Sequence, residues 1–257
     1  MERLKLIACE IFYREFCHVI ANAANIIDVE FVTQGLHDLE SNDMRQKLQE
    51  KIDAVDPVKY NAVLLGYGLC NNGIVGLMAK QIPLIIPRAH DCITFFFGSK
   101  EKYKGYFNSN PGTYYKTTGW MERDTVNMET MQSFKLQKLG LDKTYEDYVK
   151  IYGEENAKYI IETLGKGIDN YTRYSYIDMG LAKILKYDEL TRKEAKKKNW
   201  EFENINGDFE IFRNLVDGNW NTEDYLVVKP GYRVLASYDD NIIKCEKVCL
   251  GTRPQVS

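Results

Sequence analysis

Three cysteines, Cys9, Cys70 and Cys92, each follow a short apolar run that reads as a β-strand. Cys9 follows Leu4 to Ala8. Cys70 lies in Gly66-Tyr67-Gly68-Leu69-Cys70-Asn71-Asn72-Gly73, after Ala62 to Leu65. Cys92 ends Arg88-Ala89-His90-Asp91-Cys92, after Leu84 to Ile86. Thiolates are soft ligands suited to zinc or an iron-sulfur cluster, and three of them leave one coordination position for a substrate. His90 and Asp91 beside Cys92, and Glu10 beside Cys9, offer a fourth ligand or groups that handle protons. Gly66, Gly68 and Gly73 permit close backbone approach, and the amides of a helix opening after Asn72 would hold an anion. Arg88 suits a substrate carboxylate, although an ion pair with Asp91 or Glu10 is equally natural. The glycine pattern matches no full dinucleotide or Walker fingerprint, so no nucleotide cofactor is expected.

The elements that would position these residues alternate. The runs Leu4 to Ala8, Val29 to Thr33, Ala62 to Leu65 and Leu84 to Ile86 are strand-sized, with helix-length segments at Phe12 to Ala24, Asp43 to Asp53 and Gly73 to Lys80 between them. Ser41 and Asn42 are expected to cap the second helix. This alternation predicts an α/β, Rossmann-like parallel sheet with helices on both faces, for which the common 2-1-3-4 order is expected. In that order the first, third and fourth strands are neighbours about 4.8 Å apart, so the three cysteines meet at the carboxyl edge, where ligands bind in such sheets. Residues 1–94 form this first half. Residues 95–170 hold an aromatic excursion from Phe95 to Trp120 and a helical block from about Asp124 to Lys166. Residues 171–235 read as a second βαβαβ half: Arg173 to Asp178, a helix from Leu181 to Lys197, Trp200 to Ile205, a helix from Phe209 to Val216, and Tyr225 to Val228. Residues 236–257 form a tail.

With 257 residues, 44% of them hydrophobic, the chain can bury a substantial core. Its 34 basic and 37 acidic residues give a net charge of -3, without the cationic face that a nucleic-acid binder needs. No apolar run approaches the roughly 20 residues that span a bilayer, and Met1 to Ile11 lacks a signal-peptide pattern, so a cytoplasmic protein is expected. Thiols there stay reduced, and six cysteines then point to metal, cluster or catalytic roles or to simple burial. Other candidates carry less weight. His18 beside Cys17 reads as a helix-surface or packed residue, and His37 with Asp38 would rim the same sheet edge. Lys229 and Arg233 offer positive charge from the second half. Lys196 to Lys198 read as a solvated helix end. Cys245 and Cys249, in C-x-x-x-C spacing, suit a helix face.

At Ala8-Cys9-Glu10, Gly66 to Gly73, Arg88 to Cys92, Gly218-Asn219-Trp220 and Tyr225 to Gly231, the sequence resembles the domain of unknown function 1638 family of archaea and bacteria. The resemblance implies a setting near corrinoid-dependent methyltransferase systems and one-carbon metabolism. Three functions follow as expectations: a metal- or iron-sulfur-dependent enzyme acting on a small polar molecule, a metal-free thiol acid/base enzyme of racemase type, or a non-catalytic accessory to a corrinoid methyltransferase that uses the aromatic excursion as its contact surface.

Overall fold

The computed structural model describes residues 1–33, 41–70, 72–124, 154 and 171–248. Two compact units emerge. One comprises Met1–Glu10, Phe16–Lys100 and Phe209–Ser257, and the other Ile11–Glu15 and Glu101–Asp208.

The first unit carries the expected sheet. Strands β1 (Arg3–Cys9), β2 (Ile26–Val32), β3 (Ala62–Gly66) and β4 (Leu84–Pro87) pair in parallel in the order β2-β1-β3-β4, and β8 (Tyr225–Val228) extends this to five strands. Every residue of β3 and β4 is buried, because a central parallel strand is covered on both faces and its apolar run need not alternate. At the open edge, β2 instead carries charge, which discourages pairing with another chain. Asp28 there accepts hydrogen bonds from Tyr60 at 2.7 Å and from Arg3. The tyrosine first, then the arginine, hold its carboxyl down at about 2. Three helices meet through their rings: Phe212 of α7 (Glu210–Asp217) lies 5.1 Å from Phe16 of α1 (Tyr13–Ile20) and 5.5 Å from Phe95 of α3 (Cys92–Phe97). On α7 the apolar stripe Ile211, Phe212, Leu215 and Val216 is buried, which fixes that helix by its amphipathic spacing. The helix α2 (Ser41–Asp53) buries Met44, Leu48 and Ile52 at intervals of four.

The second unit has its own parallel sheet in the order β5-β6-β7, from β5 (Thr113–Thr117), β6 (Arg173–Asp178) and β7 (Glu201–Asn206). Tyr114, Tyr174 and Phe202 are in register, and so are Tyr115, Ser175 and Glu203. Tyr106, from α4 (Lys100–Ser109), brings its hydroxyl to Ser175 at 2.9 Å and donates to Glu203 at 2.5 Å. Arg192 of α6 (Tyr187–Lys198) lies over the Phe202 ring at 4.4 Å. The helix α5 (Thr118–Asp124) directly continues β5.

Four expectations change. The segment from Gly73 to Lys80 is not a helix. Gly76 is left-handed at φ 91, and the chain runs beside β9 (Tyr232–Ala236), with Gly76 donating to the Val234 carbonyl at 2.8 Å and Val234 to that of Leu77 at 2.8 Å. The excursion contains a true strand, β5, and its rings range from buried to exposed, Phe107 being 55% exposed. Phe95 and Phe96 are buried, and Tyr103 and Tyr106 each set a ring at a steep angle to that of Tyr115, about 6 Å away. The second βαβαβ half divides: β6, α6 and β7 build the second unit, whereas β8 joins the first sheet antiparallel to β4. The tail holds β10 (Ile243–Lys247), paired antiparallel with β9, so Cys245 stands on a strand opposite Val234 and not on a helix. Cys249, His37, Asp38, Asn71, the side chains of Ser41 and Asn42, and the block from 125 to 166, Glu154 excepted, lie outside the described residues. Among the described residues no helix is long and apolar enough to cross a membrane.

Candidate functional site

The carboxyl ends of β1, β3 and β4 lie side by side, since Ala8 is in register with Gly66 and Leu64 with Ile85. Parallel pairing continues past the strands: the Leu69 amide donates to the Ala89 carbonyl at 2.8 Å and the Cys70 amide to that of His90 at 3.0 Å. These bonds hold the loop bearing Cys70 against the loop bearing Cys92. Gly68 favours this approach, because a Cβ there would stand 3.0 Å from the backbone of Asp91, a tight contact. Cys70 itself is left-handed at φ 42 and Asn72 at φ 64. Such a conformation costs a non-glycine residue roughly 1–2 kcal/mol. The turn is held despite this by its hydrogen bonds, including that from the Gly73 amide to the Leu69 carbonyl at 3.0 Å.

Cys9 is 1% exposed, Cys92 9% and Cys70 partly accessible. The three thiols are near enough for their charges to interact. Burial, in first place, and then the negative charges of Cys92, Asp91 and Cys9, push the Cys70 thiol well above its ordinary pKa, against an opposing backbone hydrogen bond from Gly68. Cys70 is therefore a neutral thiol at physiological pH unless a cation joins it. Tyr67, which the sequence reading did not single out, completes the cluster. Its buried hydroxyl is raised well above the phenol range by burial, then by the nearby Cys9 and Cys70, with the charge of Glu10 adding to this. The signal that could have found it is an aromatic hydroxyl between two glycines at the end of a buried strand.

The remaining expected residues divide. Glu10, half-buried in a short 3-10 turn, acts electrostatically on Tyr67. Asp91 caps α3, its Oδ1 accepting from the Thr94 amide at 3.1 Å, so one oxygen is committed to structure. His90 and Asn72 are exposed. Gly66 serves packing, since a Cβ there would stand 2.6 Å from that of Ala8 and 2.7 Å from the Phe16 ring. Gly73 gives its amide to its own turn, and the helix N-terminus expected there is absent. Arg88 turns away: it donates from Nε to the Thr222 carbonyl at 3.0 Å, and from Nη1 to the carbonyls of Asn241 at 2.8 Å and of Ile243. Arg233 pairs with Glu246 at 2.6 Å, and the charges of Arg88 and Lys229 act on Cys245. His18 is exposed, its ring 4.8 Å from that of Phe209, as a helix-surface residue should be.

Among the described residues no three His, Cys, Asp or Glu side chains stand in metal-ligating geometry. A depression lined by Glu30, Val32, Lys47, Glu50 and Lys51 contains none of the cysteines, and Lys51 there is paired with Glu30 at 2.6 Å. What the edge of the sheet offers is a group of acids, three thiols, a phenol and two carboxyls, in a largely dry setting. Such a group favours a cation or a proton over an anion.

No curated protein and no solved structure matches the chain. One family model does match, over residues 31–216. That span contains the loops of Cys70 and Cys92 but begins after Cys9 and ends before Gly218. It covers well over half of the chain, which therefore belongs to the family described as "Protein of unknown function (DUF1638)".

Proposed function

We propose that the chain is a metal- or iron-sulfur-dependent enzyme acting on a small polar molecule, with Cys9, Cys70 and Cys92 as its thiolate ligands. The observation that supports this is that three sulfurs remote in sequence converge at one sheet edge, where the charges acting on Cys70 are all negative. A cation removes that mutual penalty, and soft thiolates suit zinc or an iron-sulfur cluster. Once bound, the group would supply a Lewis-acid or redox-active position. The sulfurs would have to draw together to hold it, because the described side chains do not stand in ligating geometry. Around them, Glu10 and Asp91 would hold or pass a proton, Tyr67 lies close to Cys9, and the exposed His90 meets solvent. The resemblance implies a corrinoid methyltransferase system as partner, which would make the substrate a one-carbon compound or its carrier.

The two other readings have less behind them. A metal-free acid/base pair would need a thiol facing the first from across the substrate, and residues 171–235 carry no cysteine to supply it. An accessory surface made of exposed aromatics is at odds with the burial of Phe95, Phe96 and Phe97, although Phe107 is exposed.

The deciding experiment is oxygen-free purification followed by metal and acid-labile sulfide analysis of the wild type and of Cys70→Ala. Stoichiometric metal in the wild type that is lost from the variant is the expected result. Iron with sulfide would assign a cluster, and zinc without sulfide a Lewis acid. Equally negligible metal in both proteins removes the proposal.

A further inference from the structure

The second unit buries an acid without a partner. Glu15 is 0% exposed, and neither carboxyl oxygen has a hydrogen-bond partner among the described residues. The segment that carries it, Ile11–Glu15, is docked closely on α5. A Cβ on Gly119 would collide with the Ile11 carbonyl, so only glycine allows the two backbones to approach as they do. Arg14 donates to Glu122 from Nε at 2.7 Å and again from Nη2, and the Arg123 guanidinium lies 5.7 Å from the centre of the Tyr13 ring.

The charged and titratable groups facing Glu15 are Arg14 on its own helix, Glu122 on α5 and Tyr176 on β6. None of them neutralises a carboxylate at this position. Arg14 is engaged by Glu122, and the Tyr176 hydroxyl is hydrogen-bonded to Thr118 at 2.8 Å. An ionised Glu15 would be a desolvated charge beside the Glu122 carboxylate, the least favourable arrangement for a buried acid.

We propose that Glu15 is a pH-sensitive latch within the second unit: as the neutral acid it keeps Ile11–Glu15 packed on α5 and β6, and on losing its proton to solvent it releases that segment. The proton leaves the carboxyl O–H for water or buffer, and no other bond changes. Burial foremost, and the repulsion of Glu122, raise the acid from its ordinary 4.5 to about 7, against the pull of its own backbone amide and of Arg14. The transition therefore falls where modest changes in intracellular-range pH act on it. It is independent of the cysteine site, since it uses none of those residues.

Hydrogen-deuterium exchange of the full-length chain tests this, read in peptides covering 11–16 and 118–124 at pH 6 and pH 8, with rates corrected for the intrinsic chemistry of exchange. If the released segment has an ordinary glutamate, linkage predicts about a tenfold rise in opening from pH 6 to pH 8 in the wild type. In Glu15→Gln, which has no proton to lose, the rise should stay under about twofold. A wild type without the rise, or a Gln variant with the full rise, overturns the proposal. Should Glu15→Gln fail to fold, Glu122→Gln takes its place. Removing the repelling carboxylate and freeing Arg14 must move the wild-type transition to lower pH, and a transition that stays put overturns the proposal equally.

Discussion

Replacing Glu15 by glutamine should stabilise the protein more at alkaline than at acid pH, by an amount that follows from linkage. The folded protein raises this carboxyl from 4.5 to about 7, so it binds more protons than the unfolded chain between those values. The stability contributed by the neutral acid is fully present below 4.5 and is lost as pH rises through about 7. At about 1.36 kcal/mol per pKa unit, the wild type forgoes under ~1 kcal/mol at pH 5 and roughly 3 kcal/mol at pH 8. Glutamine has nearly the shape of the protonated acid, and its amide adds a pH-independent offset, since it brings different donors to a site without partners. The pH-dependent part is therefore the difference between the two proteins at pH 8 minus that at pH 5, about 2–3 kcal/mol in favour of the variant. Urea denaturation at both pH values, with tryptophan fluorescence and circular dichroism, measures it, provided the slopes against urea agree. Trp120 and Trp200 both belong to the unit that holds Glu15 and so report on its unfolding. Other titrating groups are common to both proteins and cancel. If variant and wild type change in parallel from pH 5 to pH 8, Glu15 is already ionised in the fold, and the argument from its burial is refuted.

Other consequences are more local. Gly66→Ala places a methyl group against Ala8 and Phe16 in a packed layer, and should cost about 1–3 kcal/mol in denaturant unfolding without altering metal content. Asp91→Ala removes the cap of α3 and should lower stability by about 1 kcal/mol, whereas Asp91→Asn should retain most of it; equal losses would deny the cap. In metal-free protein at pH 7.5, alkylation mapped by mass spectrometry should reach the exposed Cys17 well before Cys70, whose thiol is held protonated; preferential labelling of Cys70 would contradict its raised pKa.

The first sheet was legible because its strands are short apolar runs separated by segments of helical length. The expected Ala62 to Leu65 and Leu84 to Ile86 differ from the observed strands by one residue each, and the order 2-1-3-4, taken as a common one for such sheets, is the one observed. Orientation was not legible at Tyr225–Val228, where four residues of matching character read alike in a parallel or an antiparallel strand. What decides it is pairing with β4, a contact between residues well over a hundred positions apart. The same holds for Gly73 to Lys80, whose backbone partners lie on β9, and for Tyr114 and Tyr115, which a hydropathy pattern counts with the aromatic excursion but which the sheet of the second unit takes in as strand residues.

The two sites differ in how they could have been read. That the loops bearing Cys9, Cys70 and Cys92 leave neighbouring strand ends follows once the strand order is known, whereas the nearness of Tyr67 to Cys9 and Cys70 depends on where a glycine-bounded loop aims a ring, which no spacing encodes. The capture of Arg88 by carbonyls from residues 222 to 243 is equally invisible locally. Glu15, by contrast, did leave a trace. Phe12, Phe16 and Val19 mark the buried stripe of the first helix at helical spacing, and position 15 falls on that stripe beside Phe16. A carboxyl there must find a cation, a hydrogen-bond donor or a proton. The nearest cation, Arg14, is taken by Glu122, and the described residues supply no donor, so the proton is what remains. An acid placed on the apolar stripe of a helix is thus a testable signal of pH dependence before any coordinates exist, and titrating Glu15 would measure how far that signal can be relied on.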